Sequence, residues 1–201
     1  MQFKSLILCF MLITKILFAQ DIFLGGSGTV GIINNNSNTG IGLGINGEYR
    51  SASLPFSFRL SAKYYNSEFD ITQLYLVTYN HTLNTVEFNI LYIPFSGMIQ
   101  PYFGFGLGYN FVNLDLSGNV NIIDNKFVRS KEPKNTFNYN FLLGSSFMSE
   151  KTVSIFIELL YSMMELKYEI ELEDQYTNKS FTNSSVSLNK LLLNIGIRLR
   201  L

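Results

Sequence analysis

The stretch Tyr102-Phe-Gly-Phe-Gly-Leu-Gly-Tyr-Asn-Phe111 decides the fold of this 201-residue chain. Its aromatic and aliphatic side chains, at every second position from Phe103 to Phe111, fall on one face of an extended backbone. The alternate positions carry glycines and Asn110. A helix would scatter the apolar side chains and would lose stability at each glycine. The stretch therefore predicts a β-strand.

The same alternation recurs along the chain and predicts an all-β fold. Short links alternate with longer, more polar connections, and this is the up-and-down arrangement of transmembrane β-barrels. The apolar residues change parity after Phe111 and after Met163, which predicts either a bulge or the point where a strand leaves the lipid. The eight predicted antiparallel strands are residues 22–33, 40–50, 55–66, 83–93, 100–116, 136–148, 152–172 and 186–201.

The N-terminus has the pattern of a secretory signal peptide. Lys4 precedes a short apolar run that ends near Phe18, and Ala19 offers a small residue for cleavage. This run is too short for a transmembrane helix. We therefore predict a signal peptide over residues 1–19 and a barrel over residues 20–201. Cleavage would also remove Cys9, the only cysteine, so no disulfide is expected.

Composition and charge exclude several classes of function. The chain has 15 Lys and Arg against 15 Asp and Glu, whereas a nucleic-acid binder needs a basic face. His81 is the only histidine, and no nucleophile stands beside it at a catalytic spacing. The acidic residues around Glu169 lack the arrangement of a calcium loop. We predict no catalytic residue, no metal site and no cofactor.

The content of the polar face predicts which way the strands point. That face is rich in glycine, which weakens an exposed strand but suits a narrow lumen. It also carries most of the charges, whereas a basic residue facing the lipid would cost about 2–4 kcal/mol at the bilayer midplane. We therefore expect a polar lumen network made of Glu48, Arg50, Arg59, Lys63, Glu87, Glu158, Arg198 and Arg200.

Aromatic residues on the apolar face collect at two levels. One group lies beside the short links and the other toward the long connections, as lipid-facing rings do at the two membrane interfaces. Aliphatic or mixed positions lie between the two groups. We predict lipid-facing aromatic belts made of Tyr49, Phe56, Tyr64, Tyr92, Phe103, Tyr109, Tyr139, Phe147 and Tyr161.

Three segments resemble the outer-membrane protein β-barrel domain family, which is related in architecture to the OmpA and OmpX barrels. They are Leu91-Tyr-Ile-Pro94, Pro101-Tyr-Phe-Gly-Phe-Gly-Leu-Gly-Tyr109 and Asn194-Ile-Gly-Ile-Arg-Leu-Arg-Leu201. The resemblance implies an eight-stranded barrel that the barrel assembly machinery inserts into the outer membrane of a Gram-negative-type bacterium. Outer-membrane lipids and lipopolysaccharide are then the expected surroundings.

We predict a monomeric, non-enzymatic barrel with a closed, polar lumen, whose long loops serve envelope stability, adhesion or binding. A small pore or solute channel is an alternative, because the glycine-lined interior leaves space. A lipid A-modifying enzyme that uses His81 is a weaker alternative, and a soluble, ligand-carrying barrel is the last one. Eight strands usually leave room only for side chains, which favours the closed barrel over the pore.

Overall fold

The computed structural model of the chain describes residues 20–33, 39–51, 54–70, 78–115, 122–123, 126–173 and 179–201. The predicted signal peptide lies outside these residues and stays a prediction. Within them, no helix is long and apolar enough to cross a membrane. The strands are β1 (Gln20–Ile33), β2 (Thr39–Ser51), β3 (Phe56–Asp70), β4 (Thr78–Tyr92), β5 (Ile99–Asp115), β6 (Ile122–Ile123), β7 (Lys126–Lys134), β8 (Thr136–Phe147), β9 (Val153–Glu173) and β10 (Lys179–Arg200).

The strands close into an antiparallel barrel with eight strand positions. Consecutive strands pair from β1 to β5, then β5 pairs with β8, β8 with β9, β9 with β10, and β10 with β1. Following the register once around the barrel from Phe23 leads back to Ile33, ten residues farther along the same strand. Such a stagger tilts the strands, as closure requires. The predicted eight-stranded up-and-down barrel is confirmed.

Strand β7 occupies part of a segment that the sequence predicts as a loop. It pairs with β9 from Phe127 opposite Glu173 to Lys134 opposite Lys167, and β8 continues along the same edge of β9. Strands β7 and β8 therefore share one position in the barrel. The prediction missed β7 because this segment has few apolar residues, so it gives no alternating signal.

Strands β9 and β10 extend well past the thickness of a membrane. They have 21 and 22 residues, whereas about 9–11 residues suffice for a strand to cross the hydrocarbon. Their pairing shows no register shift between Val153 and Glu173. The parity change after Met163 is therefore no bulge in this hairpin, and it marks the exit of β9 from the lipid-facing belt.

The barrel is apolar outside and charged inside. Phe105, Leu107 and Ile195 are 45%, 48% and 51% exposed, whereas Arg59 and Arg198 are 2% and 1% exposed. In water, such a continuous apolar outer surface would greatly exceed the patches that a soluble monomer shows. The outer surface therefore suits hydrocarbon, and the chain is a barrel of the transmembrane type.

Candidate functional site

Four charged side chains form a buried cluster near the end of the barrel that carries the short turns. Glu48 Oε2 lies 3.1 Å from Arg59 Nη2 and 2.8 Å from Arg198 Nη1. Arg59 Nη1 also contacts Glu158 Oε2. All four side chains are at most 3% exposed. This lower cluster, Glu48, Arg59, Glu158 and Arg198, joins four strands across the lumen.

Glycines on the inner face make room for these large side chains. A Cβ atom at Gly25 would lie 2.9 Å from Arg198 Cγ, and one at Gly144 would lie 2.7 Å from the Tyr102 ring. Both distances are shorter than van der Waals contact, so any side chain there would displace its neighbour. At these two positions, glycine is therefore required because the neighbouring side chains leave no space for a Cβ atom.

Two aromatic residues outside the predicted lumen network complete the lower cluster. Tyr102 donates a hydrogen bond of 3.0 Å from its hydroxyl to Glu158 Oε2. Phe156 lies beneath Arg198, whose Cζ is 4.2 Å from the ring centroid. Both rings are buried, at 2% exposure. Their positions in the alternating pattern could have identified them as inward-facing, because Tyr102 shares its face with Gly104.

A second ion pair lies farther toward the long-loop end. Lys63 Nζ is 2.8 Å from Glu87 Oε2, and the two side chains are 11% and 4% exposed. Lys190 is also buried, with Nζ 5.8 Å from the centroid of the Tyr65 ring. Lys190 is absent from the predicted lumen network, although it shares its parity with Arg198.

Uncharged polar residues form a hydrogen-bonded ladder across β4, β5, β8 and β9. The Thr85 hydroxyl donates to Asn110 Oδ1 at 2.7 Å, and Asn110 Nδ2 donates to Asn138 Oδ1 at 2.8 Å. Asn138 Nδ2 then donates to Asn140 Oδ1 at 2.6 Å and to Ser162 Oγ at 3.1 Å. These bonds link four neighbouring strands through side chains, and buried networks of this kind stiffen an interior.

The interior also contains apolar residues, which the predicted lumen network does not include. Toward the long loops, Leu83 is paired with Val112 across the sheet, and Leu188 is paired with Met164. These four residues and Leu166 are at most 5% exposed, and we call them the upper core. At this level the outer face is polar, with Glu165 and Lys167 side chains 55% and 61% exposed. The barrel above the lipid belt therefore packs like a soluble protein.

Arg50 and Arg200 lie at the mouth of the barrel on the short-turn side. Arg50 Nη2 donates to Glu48 Oε1 at 3.0 Å, and Arg50 Nη1 donates to Gln100 Oε1. Arg200 pairs instead with Asp21, and both side chains are partly exposed. The structure therefore joins Arg50 to the lower cluster and leaves Arg200 outside it.

The predicted belt aromatics lie on the outer face. Phe56, Tyr92 and Phe103 form a row at the short-turn end, with centroids of neighbouring rings 5.3 and 5.1 Å apart. Tyr109 contacts the rings of Phe111 and Phe137 at the other end. Their role as anchors at the membrane interfaces stays a prediction. The remaining predicted belt residues, also on the outer face, are Tyr49, Tyr64, Tyr139, Phe147 and Tyr161.

No known family profile matches the chain, and no curated protein sequence matches it. Solved structures do match. Neisserial surface protein A gives a TM-score of 0.58 at 15% identity, over 90% of this chain and 96% of its own. OprG from Pseudomonas aeruginosa gives 0.58 at 16% identity, over 91% and 96%. AlkL, solved in DMPC lipid bilayers, gives 0.58 at 12% identity, over 90% of each chain.

This chain has the outer-membrane β-barrel fold. All three neighbours are small barrels of that class by their names or by their shared architecture, and the matches span nearly the whole of each molecule. The predicted outer-membrane location agrees with them. At 12–16% identity the likeness concerns the fold of this outer-membrane barrel and does not extend to its task.

Proposed function

We propose that the protein is a closed, non-enzymatic barrel of the outer membrane that holds a polar β-structure above the lipid. This structure, which we call the extension, consists of β7, residues 165–173 of β9 and residues 179–189 of β10. The short turns would face the periplasm and the extension the cell exterior, as in bacterial outer-membrane barrels. Envelope stability, adhesion or binding at the extension is the proposed task.

The packing of the lumen supports a closed barrel rather than a pore. The lower cluster, the hydrogen-bonded ladder and the upper core follow one another from the short-turn mouth to the long-loop end. Leu83, Asn140 and Leu188 are fully buried within this series. A solute would have to displace ion pairs and packed leucines at several levels. Close-packed interiors have low compressibility, so they resist such a displacement.

The outward side chains of the extension support a surface role. Lys134 pairs with Glu169 at 3.5 Å and Lys179 with Glu171 at 2.9 Å. Such exposed pairs contribute little to stability, so they offer charged groups to a partner at small cost. The upper core anchors the extension to the barrel, because Leu166 and Leu188 belong to both.

Cysteine labelling in intact cells tests the location and the orientation. The predicted mature chain has no thiol, so single cysteines can report accessibility. Ser185→Cys places an exposed thiol on the extension, and Lys151→Cys places one on the exposed turn between β8 and β9. A membrane-impermeant maleimide should label Ser185→Cys in intact cells and Lys151→Cys only after the outer membrane is permeabilised. The reverse order would refute the orientation, and equal labelling of both would refute the membrane location.

Planar-bilayer recording tests the closed lumen. The refolded protein should give no steady conductance, and its heat-shifted gel mobility confirms that the inserted molecules are folded. A stable conductance step for each inserted molecule would establish the pore alternative instead.

The enzyme alternative rests on His81 of β4, whose side chain lies outside the described part of the structure. Unchanged lipid A in cells that express the protein would argue against that alternative.

A further inference from the structure

A cavity of about 300 Å³ opens at the short-turn mouth between the β2–β3 and β4–β5 connections. Arg50 and Gln100 form its polar wall, and Leu54, Phe56 and Phe95 line its apolar side. Leu54 and Phe95 are 57% and 64% exposed, so the apolar side continues onto the outer surface of the barrel. We call this cavity the mouth pocket.

The charges around the mouth pocket do not balance. Arg50, Arg59 and Arg198 all contact Glu48, and only Arg59 has a further acid, Glu158. Among the described residues, this group holds three guanidinium groups and two carboxylates. Asp21 and Arg200 pair with each other nearby and leave the excess unchanged. The five side chains of this group therefore carry one net positive charge.

Arg50 is the most solvent-exposed of the three arginines in this group. Its side chain is 14% exposed, whereas Arg59 and Arg198 are 3% and 1% exposed. Its hydrogen bonds to Glu48 and Gln100 use two of the five N–H donors of the guanidinium group. Its Nε is buried and has no partner among the residues that the structure describes, so a further anion would meet the N–H groups that remain on Nη1 and Nη2. Arg50 thus retains both charge and donors for a further anion.

We propose that the mouth pocket binds the headgroup of an anionic phospholipid from the inner leaflet. The phosphate would meet Arg50, because a guanidinium fork matches phosphate oxygens. The acyl chains would lie along Phe56 and Phe95, on the side that faces the lipid. This inference rests on the proposed membrane location, since the short-turn end must lie at the inner leaflet for such a lipid to reach it.

Native mass spectrometry of the folded protein in detergent micelles tests the site with phosphatidylglycerol as the probe. Arg50→Gln should weaken the phosphatidylglycerol adduct at least about tenfold, because a charge-assisted hydrogen bond is lost. Phosphatidylcholine, which has no net charge, should bind the wild-type protein more weakly. Lys151→Gln is the matched control, because Lys151 is an exposed cation on a neighbouring turn outside the pocket. It should bind phosphatidylglycerol like the wild type.

Further measurements separate this proposal from its alternatives. Phe95→Ser removes an exposed apolar wall without touching the buried charges, so it tests the pocket even if Arg50→Gln folds poorly. It should lower phosphatidylglycerol binding severalfold. Equal binding by wild type, Arg50→Gln and Phe95→Ser would overturn the proposal, and so would displacement of the lipid by an equal concentration of inorganic phosphate. Heat-shifted gel mobility and the cysteine labelling test the membrane fold and location without using lipid binding. A protein that passes both tests but does not bind phosphatidylglycerol would refute the mouth pocket proposal alone.

Discussion

Replacing Glu48 by glutamine should strongly destabilise the barrel. Glu48 contacts Arg50, Arg59 and Arg198 at 3.0, 3.1 and 2.8 Å, and its own side chain is fully buried. Glutamine preserves the shape of the side chain and removes its charge. The variant would leave three guanidinium groups with Glu158 as the one remaining carboxylate of the cluster. Of the three, only Arg59 forms an ion pair with Glu158.

The size of the effect follows from this loss of compensation. Removing one partner of a buried ion pair usually costs about 3–5 kcal/mol, because the remaining charge stays buried without compensation. Here one substitution removes three pairings, although glutamine still accepts hydrogen bonds and Arg50 reaches solvent. We therefore expect the free energy of unfolding to fall by about 4 kcal/mol.

Urea titration of the protein folded in phospholipid vesicles measures this change. The chain has no tryptophan, so the fraction folded is read from gel mobility without heating. The double variant Glu48→Gln, Arg198→Gln removes one of the unpaired cations and should be at least about 1 kcal/mol more stable than additivity predicts. A loss below about 1 kcal/mol in Glu48→Gln, or strict additivity in the double variant, would refute the role of the lower cluster.

Three further outcomes follow from the geometry, each measured by the same urea titration. Gly144→Ala should lose about 1–3 kcal/mol, because its Cβ would lie 2.7 Å from the Tyr102 ring and 2.8 Å from the Ile157 carbonyl oxygen. Gly28→Ala is its matched control and should be neutral or slightly stabilising, since no atom lies within 4 Å of a Cβ there. Met148→Gly should gain about 1 kcal/mol, because Met148 has φ of 58° in the turn before β9. A destabilised Gly28→Ala would show that the steric reasoning at Gly144 is incomplete.

The sequence was sufficient to predict the strands that have lipid on one face and the polar lumen on the other. Wherever lipid covers one side of a strand, apolar residues recur at every second position, and the stretch around Phe105 shows this pattern most clearly. Along residues 126–134 and 179–185 the sequence is mostly polar at odd and even positions alike, so alternation gives no signal there. For this reason β10 begins at Lys179 rather than at 186, where the prediction placed it.

Contacts across the lumen could not be predicted from the sequence. Arg59 and Glu158 meet although 99 residues separate them, and their meeting depends on the stagger of the closed sheet. Parity was enough to place both residues on the inner face, but it does not say at which height each one lies. The same limit explains why Arg200 was grouped with Arg198, although Arg200 lies at the rim and pairs with Asp21.

The switch of polarity along β9 fixes how deep the molecule sits. The outward side chains change from Leu159 and Tyr161 to Glu165 and Lys167 within a few residues. A downward slide of two residues, about 7 Å along the strand, would submerge Glu165, and an upward slide would wet Leu159 and its neighbours. Either displacement raises the free energy of the inserted barrel, so the change from apolar to charged outward residues determines its depth in the membrane.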